Sequence, residues 1–140
     1  MSKTKKIIIL SLAALFVALC GFAAWYYMPF KQGQGLTVYC YNMQYACGDC
    51  YEQQWRVTAI VGEGEEKFQH LVNTDIIVHY SESFQKQLDK DPNAHCLGCF
   101  RFTFTGMLYY SQAKGYILES SHNQYKIQKD CCSPQPGKDE

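Results

Sequence analysis

Phe100-Arg101-Phe102-Thr103-Phe104-Thr105 alternates an aromatic ring with a polar side chain over six consecutive residues. Successive strand side chains point to opposite faces, so this stretch reads as a half-buried β-strand with three Phe rings in the core. The strand is expected to run on through Tyr109. Gly106 should mark a bulge or sharp bend, as glycine inside a strand pattern often does. Downstream, Gly115–Ser121 and Tyr125–Cys131 read as a hairpin joined through His122-Asn123-Gln124. Past Cys132, the prolines, Gly137 and three charged residues predict a flexible tail over 133–140.

Upstream lies the helical signal of the domain. Ser81 can cap, Glu82 sits in the first turn, and Phe84 and Leu88 fall four apart on one face. Lys86 and Lys90 come late, where the helix dipole favours cations, and Asp91-Pro92-Asn93 ends the segment. Before it, Asp75–Tyr80 is a strand with Ile76, Val78 and Tyr80 in phase, and Lys67–Val72 reads as a shorter one. Trp55–Val61 places Trp55, Val57, Ala59 and Val61 on one side and Arg56 and Thr58 on the other. Gly62-Glu63-Gly64 ends it in a turn, and Glu63, Glu65 and Glu66 make a solvated acidic loop without calcium-loop spacing. Thr37–Met43 alternates as a first strand or extended arm, with Val38 and Cys40 sharing a face.

These elements predict a mainly β domain built as a small antiparallel barrel. Counted from Trp55, three strands, one helix and further strands follow in turn over residues 54–131. That order resembles the oligonucleotide/oligosaccharide-binding (OB) barrel, which often carries its helix after the third strand. The resemblance implies architecture alone, because that barrel hosts many unrelated activities.

At the other end of the chain, Ile7–Phe30 runs without a charge behind Lys3, Lys5 and Lys6. Twenty-four helical residues reach about 36 Å, enough to cross a hydrocarbon layer of about 30 Å. Trp25, Tyr26 and Tyr27 fall where amphipathic rings favour the headgroups, and the lysine bias puts the N-terminus in the cytoplasm. The expected organisation is a basic cytoplasmic start (1–6), an anchor (7–30), a spacer (31–36) and an exported β domain (37–132). A cleaved signal peptide with Gly21-Phe22-Ala23 as its site is the competing reading, but its apolar region would be unusually long. A lipid anchor on Cys20 is a third, opposed by bulky Leu19. All three export the domain, to the periplasm if the source is bacterial.

The chain carries thirteen basic and thirteen acidic residues, and three of the basic ones precede the anchor. The exported part is therefore net acidic, which argues against a nucleic-acid partner.

Seven of the eight cysteines lie beyond the anchor: Cys40, Cys47, Cys50, Cys96, Cys99, Cys131 and Cys132. An exported domain with a modest core gains stability from cross-links, so the leading expectation is a disulfide framework. If the last strand keeps its alternation, Cys131 faces the core and Cys132 is the spare or intermolecular thiol. The alternative uses the two Cys-x-x-Cys pairs. Cys47, Cys50, Cys96 and Cys99 could bind zinc through four sulfurs, although the pairs are far apart for a compact zinc motif. As redox dithiols they lack the helix start that lowers a thiol pKa, and Asp49 would raise it. Tyr51 and Phe100 stand where haem attachment needs histidine. His70 and His79 are too far apart to imply shared ligation, and nucleophile-elbow, P-loop and His-Glu-x-x-His signatures are absent. The function expected is a membrane-anchored binding or assembly module with a protein partner in the membrane or periplasm, without a cofactor. The rival is an exported thiol–disulfide or zinc protein.

Overall fold

The computed structural model describes residues 2–43, 54–128 and 130–132. Helix α1 (Lys3–Tyr27) leads into strand β1 (Phe30–Asn42), followed by β2 (Trp55–Val61), a 3₁₀ segment (Glu65–Leu71) and β3 (Asp75–His79). Helix α2 (Glu82–Asp89), a second 3₁₀ segment (Ala94–Cys99), β4 (Phe100–Ser111) and β5 (Gly115–Ile127) complete the order. The molecule is mainly sheet. Among the described residues, five strands are hydrogen-bonded in the order β1-β2-β3-β5-β4, and β4 pairs back onto β1 so that the ladder closes.

The three Phe rings of β4 are the centre of the core. Phe100, Phe102 and Phe104 are all buried, and Trp55 meets Phe102 and Phe104 edge-on with centroids 4.7 and 5.2 Å away. Ser81 caps α2 by accepting from the Phe84 N–H, and the helix buries Phe84 and Leu88 against these rings. Trp55 and Phe84 thus meet the Phe102 and Phe104 rings edge-to-face, while those two rings stack on each other; both are favoured aromatic geometries. Leu36, Val38 and Cys40 line the same interior from β1.

Several sequence expectations change here. The anticipated spacer over 31–36 is the first half of β1, a thirteen-residue strand shared between two neighbours. Register shifts at Lys31/Gly33 and Gly33/Leu36 let it bend, and Gly35 sits at φ +62°. Glycines that suggest a linker in the sequence are bend points in the strand. A first strand at 30–42 also moves the strand count: the helix follows the third strand when counting begins at Phe30, not at Trp55.

Segment 67–72 lies mostly in a 3₁₀ turn that buries Phe68 and Leu71, not in a strand. In β2 the alternation breaks at Thr58, where the pairing jumps from Tyr39↔Ala59 to Cys40↔Val57. Ile60 is therefore buried, and Val61 is exposed. Residues 115–127 form one strand without a turn at 122–124. Its irregularity is a bulge opposite Gly106, where a Cβ would run into the Glu119 carbonyl oxygen. The sheet is not wholly antiparallel either, since Ile77, Val78 and His79 pair in parallel with Ile117, Leu118 and Glu119.

α1 is long and apolar enough to span a membrane, with a mean hydropathy of 2.7 over its most apolar window and no buried residue. A signal sequence has the same properties. The helix ends at Tyr27, three residues short of the expected boundary, because Met28 precedes Pro29 and takes an extended conformation.

Candidate functional site

β1 and β2 meet at Asn42 and Trp55, the end of the sheet where β4 begins and β5 stops. The opposite end holds the start of β1 and the turn between β4 and β5. The first of these, here called the distal pole, collects chemistry that is dispersed in the sequence.

Gln128 donates its N–H to the Cys99 carbonyl at 2.8 Å, extending the β4–β5 ladder one step beyond Ile127. Asp130 then takes φ +63°, a left-handed conformation that Asp tolerates, and the chain folds back over the 3₁₀ segment. Cys131 is thereby bonded to Cys99 and Cys132 to Cys96, with Cα separations of 5.7 and 5.9 Å. The bridges are nested: two adjacent cysteines beyond the end of β5 staple the two ends of a Cys-x-x-Cys. His95 Nε2 lies 3.5 Å from Cys132 Sγ.

This pairing corrects the expectation for the last two cysteines. β5 stops at Ile127, so strand alternation does not reach them; Cys131 is exposed, and Cys132 is bonded rather than spare. Cys96 and Cys99 are not bonded to each other. As disulfides they are also not the thiolates that the zinc alternative needs, although His95, Cys96 and Cys132 hold their ligand atoms within 4.8 Å of one another. Cys47 and Cys50 lie outside the described residues. Cys40 is a free thiol buried between β2 and β4, and burial pushes its pKa well above the usual range. It is an inert core residue, like a small hydrophobe. Cys20 is free and exposed on α1.

A groove of about 440 Å³ opens beside this pole on the outer face, lined by Tyr39, Thr58, Ala59, Arg101 and Thr103. Its walls follow from register: Tyr39 pairs with Ala59 on one side and Thr103 on the other, and Thr58 is the extra β2 residue at the β1–β2 register shift. Arg101 sits over the Tyr41 ring at 5.1 Å and donates to Gln128 Oε1 at 2.8 Å, so its guanidinium is held in place. Tyr39 remains 41% exposed. The pairing of an Arg and two Tyr depends on strand register and carries no local motif.

The histidines do not converge. His79 Nδ1 is 2.6 Å from Glu119, and His70 Nε2 is 3.2 Å from the Tyr116 hydroxyl. Ser121 lies 3.2 Å from His122 Nδ1, but this exposed hydroxyl also donates to the Thr105 carbonyl beside the bulge. At the distal pole Tyr125 donates to Asp91 at 2.8 Å, tying β5 to the loop after α2. That hydrogen bond to the carboxylate, with burial, raises the phenol pKa above its ordinary value.

Comparison of the chain with protein-family models, with curated proteins and with solved structures found no match.

Proposed function

We propose that this chain is a membrane-anchored, exported binding module, an OB-like barrel that presents its outer groove to a protein partner. The N-terminal helix holds it to the membrane with residues 1–6 in the cytoplasm, and the barrel stands on the other side, in the periplasm if the source is bacterial. The OB-like reading is supported by the strand order, the parallel β3–β5 pair and a helix between the third and fourth strands. Export is supported by two disulfides, which persist in oxidising compartments.

One observation carries the binding role: a fixed Arg101 and a part-exposed Tyr39 share a groove on a rigid sheet. Arg and Tyr are the residue types that dominate binding energy at protein interfaces, and a rigid scaffold limits the entropy lost on docking. The bridges have a structural role in this reading, holding the start of β4 and the end of β5 together under the groove. A photo-crosslinking residue at Thr58 should give a discrete adduct in native membranes that weakens when Arg101 is replaced by Ala. The same residue at Glu119, on the strand surface away from the groove, should give none. Equal adducts at both positions, or none at Thr58, would dismiss the groove.

His95 beside Cys132 favours a second reading, thiol–disulfide exchange at the Cys96–Cys132 bridge. A neighbouring imidazolium stabilises a leaving thiolate. In that case insulin reduction by the dithiol form should fall on replacing His95 by Ala. If the protein has no such activity with His95 intact, the redox reading fails.

A further inference from the structure

Resting on the anchor reading, we infer that the end opposite the distal pole, where β1 starts and β4 turns into β5, is a membrane-contacting foot, seated in the headgroup layer of the bilayer that α1 enters. The partner is the lipid surface itself.

Only Met28 and Pro29 separate α1 from β1, so the barrel cannot stand far from the point where the helix emerges. The turn between β4 and β5 is tied to that point as well. Ala113 donates its N–H to the Tyr26 carbonyl at 2.9 Å, satisfying one of the acceptors that a helix end leaves open. A turn hydrogen-bonded to the last turn of a membrane helix shares its depth.

The side chains gathered there suit that depth. Trp25, Tyr27, Met28 and Phe30 are all more than half exposed. Phe30 pairs with Tyr110 across β1 and β4, and the Tyr110 and Tyr116 rings lie 4.9 Å apart on the adjoining strands. The aromatic cluster at the helix end thus continues onto the sheet, as a belt drawn from four elements. Aromatic rings of this kind favour the membrane–water interface, and a water-facing surface would leave Tyr27, Met28 and Phe30 exposed together. Exposed Lys31 and Lys114 flank the belt, matching anionic headgroups. The distal pole, with its bridges and groove, then faces away from the membrane.

The test uses the full chain in phosphatidylcholine–phosphatidylglycerol vesicles whose lipids are brominated near the headgroup end of the acyl chains. The chain has two tryptophans, Trp25 and the buried Trp55. In wild type, quenching of Trp25 reports the anchor alone. With Trp25→Phe as background, Gln112→Trp at the exposed turn and Tyr110→Trp should be quenched to an extent comparable with Trp25. Lys126→Trp at the far end of β5 should keep its full emission. If Trp25 is quenched while positions 110 and 112 are not, the barrel stands clear of the lipid, and the foot is refuted with the anchor intact. If Trp25 is unquenched, both readings fall together. Emission at 112 that shifts blue with protein density but ignores the brominated lipid would mean that a second copy covers the foot, which also refutes the proposal.

Discussion

Removing the two bridges separately and together should give unequal costs, because one is nested inside the other. Cys96–Cys132 spans 36 residues and Cys99–Cys131 spans 32, so either alone closes nearly the same loop. Chain-entropy arithmetic assigns about 3.8 kcal/mol to the first closure at this length. Once one bridge exists, the other closes a small ring of residues 96–99 and 131–132, for which the same formula gives about 2.2 kcal/mol. Cys96→Ser with Cys132→Ser, or Cys99→Ser with Cys131→Ser, should therefore each cost about 2 kcal/mol. The fourfold variant should cost about 6 kcal/mol, exceeding the two separate losses together by about 1.5 kcal/mol. Urea unfolding in detergent under non-reducing conditions, followed by Trp55 emission, measures all three. Trp55 suits the purpose because it is packed against Phe102 and Phe104 in the core. Additive losses of about 4 kcal/mol each would mean that the bridges close independent loops, and the nested pairing would be wrong.

Other consequences are simpler. Gly106→Ala drives a methyl into the Glu119 carbonyl oxygen, a backbone atom that cannot turn aside, and should cost about 3 kcal/mol or more in the same urea experiment. Cys40 should resist iodoacetamide in the native chain and react after denaturation, as peptide mass spectrometry would detect. Because burial raises its folded pKa, the unfolded chain loses this proton first. Stability should fall as pH climbs past the ordinary thiol range, and Cys40→Ala should remove that part of the alkaline loss. Tyr125→Phe should cost about 1 kcal/mol by deleting the hydrogen bond to Asp91. In the wild type, Tyr125 should titrate above the ordinary tyrosine range, as should Tyr80 and Tyr116, and only the Tyr125 component should vanish in the variant.

Local pattern carried much of the fold. The Phe alternation of β4, the Ser81 cap, the Phe84/Leu88 pair and the Gly106 bulge are all set by residues close in the chain, and each is found in place. What pattern missed was bending. Gly33 and Gly35 carry the same composition whether they belong to a linker or to a strand that must serve two neighbours, and only sheet closure decides. Thr58 likewise has no mark of its own, yet the irregularity there exchanges the fates of Ile60 and Val61. The cysteine partners were illegible for a similar reason. Their pairing follows from where the β4–β5 ladder ends and from a left-handed Asp130, neither of which the spacing encodes. The groove was least legible, since Tyr39, Thr58 and Arg101 meet through register alone.

The proposed export of this sheet-rich domain rests on the two nested bridges at its distal pole. Tryptic mapping of the chain, thiol-blocked as it is drawn from native membranes, tests that claim most directly. Both bridges join the same two peptides, Asp91–Arg101 and Asp130–Lys138. The account expects one cross-linked species with all four of these cysteines inaccessible to the blocking reagent. Recovery of the two peptides apart, each with its cysteines alkylated, would contradict it.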